Sequence, residues 1–509
     1  MKRMLTAAAM FFIPLMVMGQ LYVGANYHPH DDKDIEKISQ DVRLMKEAGF
    51  TCVRMGHLAW DSYEPQEGVY DFEWFDTVMD LMHEAGIGVI LDIPTRPAPL
   101  WLHAKYPSID IVDENGNRQY PNHRYMEDVG DPHFQEHALR FVREMAERYA
   151  SHPALMAFGV DNEPGDGPIS YSESVRLRFV EWLKDKYNDL DTLNEAWDGQ
   201  RWSRKVGEWN EIGLPLPWQG APERKLDFRR FISDEVSGFY FSFLNVLKEV
   251  APDVLTNTNA WYYSTKKYFD YVPLAYSGLM TRNGFGFYPG NSLKTSWGIW
   301  DNVFGITRVQ FEAETPFWCS EFTTMTAVPG SIRKAAYSTL FYGNQLVCGW
   351  TWQSMHGGEE QYLEGMLDWD GIPNRKYHEY KQIAEEFAKI EDYFPYKLKA
   401  EVGLAYSFDS QMASAAFPED HQQQIQKVFD QFIVRNMDCR MISIPHSGMD
   451  YKLVILPGLA VMDEETAGKI RDYVRDGGCV LMTSNSAVVD NTGKVFGSTH
   501  PGMLADVFG

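Results

Sequence analysis

The chain has 509 residues, 44% hydrophobic and 14% aromatic, enough for a large core and for more than one domain. Its formal net charge of −24 excludes nucleic acid and anionic membrane surfaces as partners, because both need clustered Lys and Arg. Such acidity fits a soluble protein with a neutral ligand.

Residues 1–20 read as a signal peptide. Lys2 and Arg3 precede an apolar run from Met4 to Met18, and Val17 and Gly19 are the small residues before Gln20. The run is too short for a transmembrane anchor, and no later segment is long and apolar enough to span. No cysteine follows the cleavage point, so no lipid anchor is expected. The mature protein is expected to be secreted or periplasmic, without membrane insertion. The five cysteines, Cys52, Cys319, Cys348, Cys439 and Cys479, are odd in number and lack metal-ligand spacing. Buried free thiols are the expectation, and no metal is expected.

Strand-like runs then alternate with helical patterns. Strands are predicted at Leu21–Tyr27, Thr51–Gly56, Gly88–Ile93, Leu155–Val160, Val254–Asn259, Ala275–Thr281, Pro316–Glu321 and Val347–Gln353. Helices are predicted at Asp34–Ala48, Phe72–Ala85, His133–Ala150, Phe228–Val250 and Ser331–Leu346. Eight such repeats over 21–396 predict a (β/α)8 barrel. A doubly wound sheet is the alternative, weakened because no GxGxxG turn follows the first strand. The stretch Gly165–Leu226 is too long for an ordinary loop and holds Trp182, Trp197, Trp202, Trp209 and Trp218. In a barrel it would follow the fourth strand on the C-terminal face. From 397 to 509 the pattern restarts as a smaller α/β domain of amidotransferase-like outline. Its elements are strands at Glu401–Ser407, Tyr451–Pro457 and Cys479–Thr483, and helices at His421–Met437 and Glu464–Asp476. Cys479 reads as strand interior, not as a nucleophile on a sharp turn, so chemistry is not expected there.

The fourth strand finishes in "VDNEPG", which puts Glu163 at a C-terminal strand end, the active face of a barrel. "PFWCSEFTT" puts Glu321 at the end of the seventh strand in the same way. Two carboxylates facing one another across a barrel mouth suit glycoside hydrolysis, one donating a proton and the other attacking or activating water. Asn162 offers an amide for a sugar hydroxyl. Arg54, in "CVRMGHLAW", is placed to keep the nucleophile ionised. A lone strand-end glutamate is usually just a solvated carboxylate. The combination of the Asn-Glu pair, the Ser-Glu pair and the arginine is what carries the reading.

These motifs resemble clan A glycoside hydrolases, and most closely the family 42 β-galactosidases. The resemblance lies in "GANYHPHD" (24–31), "DVRLMKEAGFTCVRMGHLAWDSYEPQEGVYDFEWFD" (41–76), "TRPAPLWLHAKYP" (95–107), "VDNEPG" (160–165), "LDFRRFISDEV" (226–236) and "GMLDWDGIPNRKYHEY" (365–380). It implies Glu163 as acid/base, Glu321 as nucleophile, retention of configuration, and no cofactor. It also implies a second domain that makes homotrimer contacts. Two departures bear on the sugar: His57 stands where the family commonly has glutamate, and Leu363 replaces a histidine in "GEEQYL", which keeps Glu360 as a carboxylate. Family members continue beyond the second domain, so a further C-terminal β-domain is expected to be missing or to lie beyond this sequence.

Trp60, Trp101, Trp297, Trp300, Trp318, Trp350 and Trp352 are candidates for stacking on a pyranose, Trp352 foremost, against the ordinary reading that aromatics are core. His28 is a candidate for a sugar hydroxyl and equally for a structural histidine. The expected activity is an exported, retaining exo-β-glycosidase acting on terminal β-galactosides. The alternatives are the same mechanism on a β-glucoside, β-mannoside or α-L-arabinopyranoside, or a non-catalytic carbohydrate-binding protein. A metal-dependent barrel hydrolase is disfavoured, since no HxH follows the first strand.

Overall fold

A computed structural model describes residues 21–260, 268–288, 317–325, 328–394, 400–414, 417 and 419–509. The predicted signal peptide, Trp297 and Trp300 lie outside the described residues. Eight parallel strands form one sheet: β1 (Tyr22–Asn26), β2 (Cys52–Met55), β3 (Gly88–Ile93), β4 (Leu155–Asn162), β5 (Leu255–Asn259), β6 (Asn283–Phe287), β7 (Phe317–Thr323) and β8 (Asn344–Trp350). Their order is β5-β4-β3-β2-β1-β8-β7-β6. Bridges Asn257–Arg282 and Ala260–Phe285 join the two ends, which makes the sheet a barrel. The helices between strands are amphipathic. Asp34 and Asp131 cap helices Ile35–Glu47 and Pro132–Tyr149 by accepting from backbone N–H groups of the first turn.

One expected strand is misplaced. Over the predicted Ala275–Thr281, the chain forms the end of a short helix, Val272–Tyr276, then turns at Gly278 and enters β6 with the sequence NGFGF. The reason is steric. A Cβ at Gly284 would lie 2.1 Å from the Thr258 carbonyl oxygen, so the closure of the barrel against β5 demands glycine where a strand signal would want a branched residue. The helix predicted to run to Leu346 stops at Phe341, because Gly343 takes φ 93° and β8 starts at Asn344.

Inside the barrel, Tyr22, Cys52, Ile90, Ala157, Trp318 and Leu346 form a buried layer toward the N-terminal ends of the strands. The period-2 alternation of strands then carries inward direction upward, from Cys52 to Arg54 and from Ile90 to Asp92. Polar side chains thus enter a barrel whose base is sealed by apolar ones. Segment 165–226 folds as helices Glu173–Tyr187 and Leu190–Ala196 with a core of their own, in which Phe179, Leu183 and Trp197 meet Phe228 and Phe231 of the long helix Pro222–Val250.

The smaller domain is a parallel sheet of β9 (Val402–Ala405), β10 (Arg440–Ile442), β11 (Leu453–Leu456) and β12 (Cys479–Met482), in the order β10-β9-β11-β12. β10 was not among the predicted strands. A ligand would bind such a sheet at the switch point between β9 and β11. There the buried His421 ring fills the space: its Nδ1 donates to the Pro457 carbonyl (2.8 Å) and its Nε2 accepts from the Ser407 N–H (3.1 Å). Arg230 holds this domain to the barrel through Asp409, at 2.9 and 2.7 Å. No helix among the described residues is long and apolar enough to cross a membrane.

Four cysteines are buried free thiols as expected, and Cys479 is a correction. It lies on the edge strand β12 and is exposed. Burial pushes the Cys52 and Cys439 thiols up to about 12. In the native protein one thiol per chain is therefore expected to react promptly with an aromatic disulfide reagent. Cys479→Ser should abolish that fast phase and leave the other four to react only in denaturant. Fast reaction of any second thiol would contradict the burial pattern.

Candidate active site

Both predicted carboxylates stand where the strand ladder slips. Register shifts fall between Gly159 and Asn162 on β4, and between Cys319 and Phe322 on β7. An extra residue of this kind re-aims the side chains that follow it. On β4 the backbone is also left-handed at Asp161 (φ 54°) and Glu163 (φ 45°). Asp161 is turned into the scaffold, where Oδ1 accepts from the N–H groups of Thr95 (3.3 Å) and Arg96 (3.2 Å), and Oδ2 from the Tyr240 hydroxyl (2.8 Å). The Asp-Asn-Glu run therefore contains one anchor, one connector and one carboxylate facing the mouth.

Arg54 is the hub. Its side chain is 1% exposed, and its guanidinium reaches four other strands. Nη1 donates to Glu321 Oε1 (2.7 Å) and to Asn26 Oδ1 (3.0 Å). Nη2 donates to Asn162 Oδ1 (2.7 Å) and contacts Asp92 Oδ2. Asn26 in turn donates to the carbonyls of Ser320 (2.9 Å) and Gly349 (3.3 Å), so β1 locks β7 and β8 to the same centre. A second donor, the Tyr288 hydroxyl, meets Glu321 Oε2 at 2.6 Å. Glu321 is thus a buried carboxylate with one oxygen on a guanidinium and the other on a phenol. Burial and Glu321 raise Tyr288 well above the usual tyrosine value, so its proton stays on.

Glu163 is connected to the same hub. Asn162 Nδ2 donates to the Tyr125 hydroxyl (2.6 Å), which donates to Glu163 Oε2 (3.2 Å). Arg124 Nη2 lies 3.5 Å from the same oxygen, while Nη1 lies 3.3 Å from Glu360 Oε1. The Tyr125 ring is held between the guanidinium groups of Arg96 and Arg124, 4.7 and 5.1 Å from its centroid. Arg124 thus joins Glu163 to Glu360, while Arg54 and Tyr288 hold Glu321.

The structure thus brings Arg54, Asn162, Glu163, Glu321 and Glu360 together. Two expectations change. Trp352 is buried at 1%, packed on Phe50 and Tyr377 behind the barrel. β8 ends at Trp350, so strand alternation does not carry to residue 352. Trp350 takes the place by the mouth, its Nε1 donating to Glu360 Oε2 at 3.2 Å. Trp60 and Trp318 are also core. His28 is structural. Thr351 Oγ1 donates to the Asn26 carbonyl (3.0 Å), so it accepts from His28 Nδ1 (3.1 Å). His28 Nε2 is then an acceptor for His57 Nε2–H at 2.9 Å, and both ring nitrogens are spent. Burial lowers both histidines well below the usual value, so they are neutral. Asn162 joins the two glutamates' partners, its Oδ1 accepting from Arg54 and its Nδ2 giving one hydrogen to Tyr125, and an amide nitrogen carries a second hydrogen.

Sequence reasoning missed Arg124, Tyr125, Tyr288 and Asp92. The first two lie in the loop after β3, fixed by Glu127, which accepts from the Ala98 N–H (2.6 Å), and by a His103–Asp110 contact of 2.5 Å. Among the described residues no group of three or more His, Cys, Asp or Glu is arranged to hold a metal ion.

Known proteins resemble this chain over both of its domains. Residues 26–390 match the family model described as Beta-galactosidase, of glycoside hydrolase family 42, and residues 400–509 match the one described as Beta-galactosidase trimerisation domain. Among curated relatives, β-galactosidase bgaB of Geobacillus kaustophilus is 27% identical over 516 residues, covering 97% of this chain and 75% of that protein. β-Galactosidase GanA of Bacillus subtilis (strain 168) is 28% identical over 521 residues, 96% of this chain and 76% of its own. The solved β-galactosidase of the Antarctic haloarchaeon Halorubrum lacusprofundi superposes with a TM-score of 0.89 at 27% identity, over 96% of this chain and 76% of that one.

Removing Arg54 would leave Asp92 and Glu321 buried without their cation. Arg54→Met is expected to cost about 3–5 kcal/mol of stability, read from urea unfolding. Asp92 gives a separate pH signature. Burial pushes its carboxyl up to about 7 against the pull of Arg54. The folded state therefore holds a proton that the unfolded state has lost. That contribution is complete below the unfolded value of about 3.9 and disappears as the pH rises to about 7. Asp92→Asn should flatten the fall of unfolding free energy between pH 5 and pH 7, and an unchanged slope would count against this proton.

Proposed function

Because the chain belongs to the glycoside hydrolase family 42 β-galactosidases, we propose that this glycoside hydrolase is a retaining exo-β-galactosidase, with Glu321 as nucleophile and Glu163 as acid/base. The observation that supports the roles is that two carboxylates at C-terminal strand ends of one barrel are tied to a single buried arginine, Glu321 directly and Glu163 through Tyr125 and Asn162. Glu321 is held by a guanidinium and a phenol, donors on either oxygen that aim it. Glu163 is met by the Tyr125 hydroxyl and the Arg124 guanidinium, both from the loop after β3. In the first step Glu321 attacks the anomeric carbon while Glu163 gives its proton to the leaving oxygen. In the second, Glu163 takes a proton from water, and the water releases the sugar from Glu321. Arg124, Glu360 and Trp350 supply donors, an acceptor and an indole for the sugar. No cofactor enters either step.

A second reading, the same mechanism on another β-glycoside, is favoured by one departure. Leu363 stands where the resemblance leads one to expect a histidine, and its N–H closes a turn onto the Glu360 carbonyl at 2.9 Å. A panel of nitrophenyl β-glycosides decides between the two sugars. Residues 1–20 support export, which N-terminal sequencing of protein recovered outside the cytoplasm would test. The match of residues 400–509 supports a homotrimer, to be tested by sedimentation equilibrium.

Glu321→Ala should abolish turnover, and a 2-deoxy-2-fluoro galactoside should label Glu321 in the native enzyme. A label mapped to another carboxylate would refute the assignment. Glu163→Ala should still form the glycosyl-enzyme from a dinitrophenyl galactoside, but should lose about 10²–10⁴-fold on a disaccharide whose leaving group needs a proton. Added azide should then restore release of the sugar, and a variant indifferent to azide would remove Glu163 from the acid/base role.

A further inference from the structure

Two acceptors face each other beside Arg54. His57 gives its Nε2–H to His28, so Nδ1 of the neutral ring carries a bare lone pair. That atom is buried, has no hydrogen-bond partner among the described residues and lies 4.0 Å from Asp92 Oδ2. A lone pair set against a carboxylate oxygen in a dry interior is unfavourable, and one proton between them relieves it. Burial holds His57 well below the usual histidine value, so the proton belongs on Asp92. The same Asp92 oxygen contacts Arg54 Nη2, and Nη1 of that guanidinium donates to Glu321. Neutral Asp92 therefore leaves the charge of Arg54 to Glu321 alone, and ionised Asp92 takes a share of it.

The other groups that face Asp92 are Tyr63 after β2, Asp161 on β4 and Glu321 on β7. Burial raises Tyr63 well above the usual tyrosine value, so it keeps its proton. Burial pushes the Asp92 carboxyl up, Arg54 pulls it down, and Glu321 and Asp161 push it up again, to about 7. The proton is thus exchanged with water near neutral pH. Its effect on the two chemical steps is opposite. When Glu321 attacks a sugar bearing a phenolate leaving group, negative charge moves from Glu321 to the phenolate, away from Arg54. When azide then displaces Glu321, negative charge returns to Glu321. An ionised Asp92 speeds the first movement and slows the second.

We propose that Asp92 is a positioning residue for the nucleophile: acting through Arg54, and holding its proton against His57, it sets in opposite directions the rates at which Glu321 bonds to the sugar and releases it. The proposal rests on the retaining reading above, in which Glu321 forms the covalent intermediate. In the Glu163→Ala enzyme the acid/base no longer titrates. There kcat/KM for a dinitrophenyl galactoside reports the attack, and azide capture of the intermediate reports the release. Between about pH 6 and about pH 8 the first should rise about tenfold and the second fall about tenfold. Asp92→Asn in that background should hold both at their low-pH levels throughout. His57→Gln, whose amide N–H favours the ionised carboxylate, should move both steps to lower pH. Steps of one sign, steps that survive Asp92→Asn, or midpoints indifferent to His57→Gln would overturn the proposal. In the unsubstituted protein the infrared carbonyl band of a buried, protonated carboxyl should fade through about pH 7 and be missing in Asp92→Asn. Absence of that band overturns the proposal and leaves the glycosidase reading intact. Failure to turn over any nitrophenyl glycoside, with the band present, overturns the glycosidase reading instead.

Discussion

A guanidinium sealed inside a barrel has to be neutralised and hydrogen-bonded, and the arrangement around Arg54 follows from that requirement. Transfer of such a charge from water costs several kcal/mol unless partners of good geometry surround it. Here they come from four strands: Asn26 on β1, Asp92 on β3, Asn162 on β4 and Glu321 on β7. The charge is thus a register device. A one-residue slip of any of these strands would turn its partner away and leave a buried ion unmatched. The same bonds aim Glu321 and, through Asn162 and Tyr125, hold the partner of Glu163. Placing the two strand-end carboxylates and satisfying the buried cation are one problem with one solution.

The backbone bends to meet it. At Gly159 a Cβ would lie 1.5 Å from Asp92 Oδ1, so Asp92 can occupy its place beside Arg54 only because β4 carries no side chain there. The left-handed conformations at Asp161 and Glu163 are of a kind that non-glycine residues adopt at a cost, and they sit where the strand must turn one carboxylate outward and the next into the mouth. The bonds that Asp161 makes to Thr95, Arg96 and Tyr240 are what hold this bend. Strain at the site is balanced by hydrogen bonds made outside it.

The two smaller elements of the fold divide other tasks. The loop after β3 brings cations to the Glu163 side, and its own rigidity comes from the buried contacts of His103, Asp110 and Glu127. The C-terminal domain keeps the parallel sheet of a ligand-binding fold and places the buried His421 ring at its switch point. An ion pair with Arg230 and an apolar contact of Phe408 and Met412 with Leu226 join it to the barrel.

Strand-end glutamates, the arginine on the second strand and the alternation of strand and helix were legible in the sequence, because burial periodicity and backbone punctuation are local properties. The chain order alone placed Glu163, Glu321 and Arg54 at the same end of a barrel. Tertiary structure decided the rest. β6 escaped recognition because closure against β5 requires glycines, which erase the β signal. Trp350 and Trp352 are indistinguishable by type and neighbourhood, and only the point where β8 ends sends one to the mouth and the other to the core. Cys479 looked buried because its run is apolar, but an edge strand exposes what a central one covers. Arg124, Tyr125 and Tyr288 lie in loops, where no period marks a side chain's direction. Their roles come from partners far away in sequence, and a pairing of that kind exists only once the chain has closed on itself.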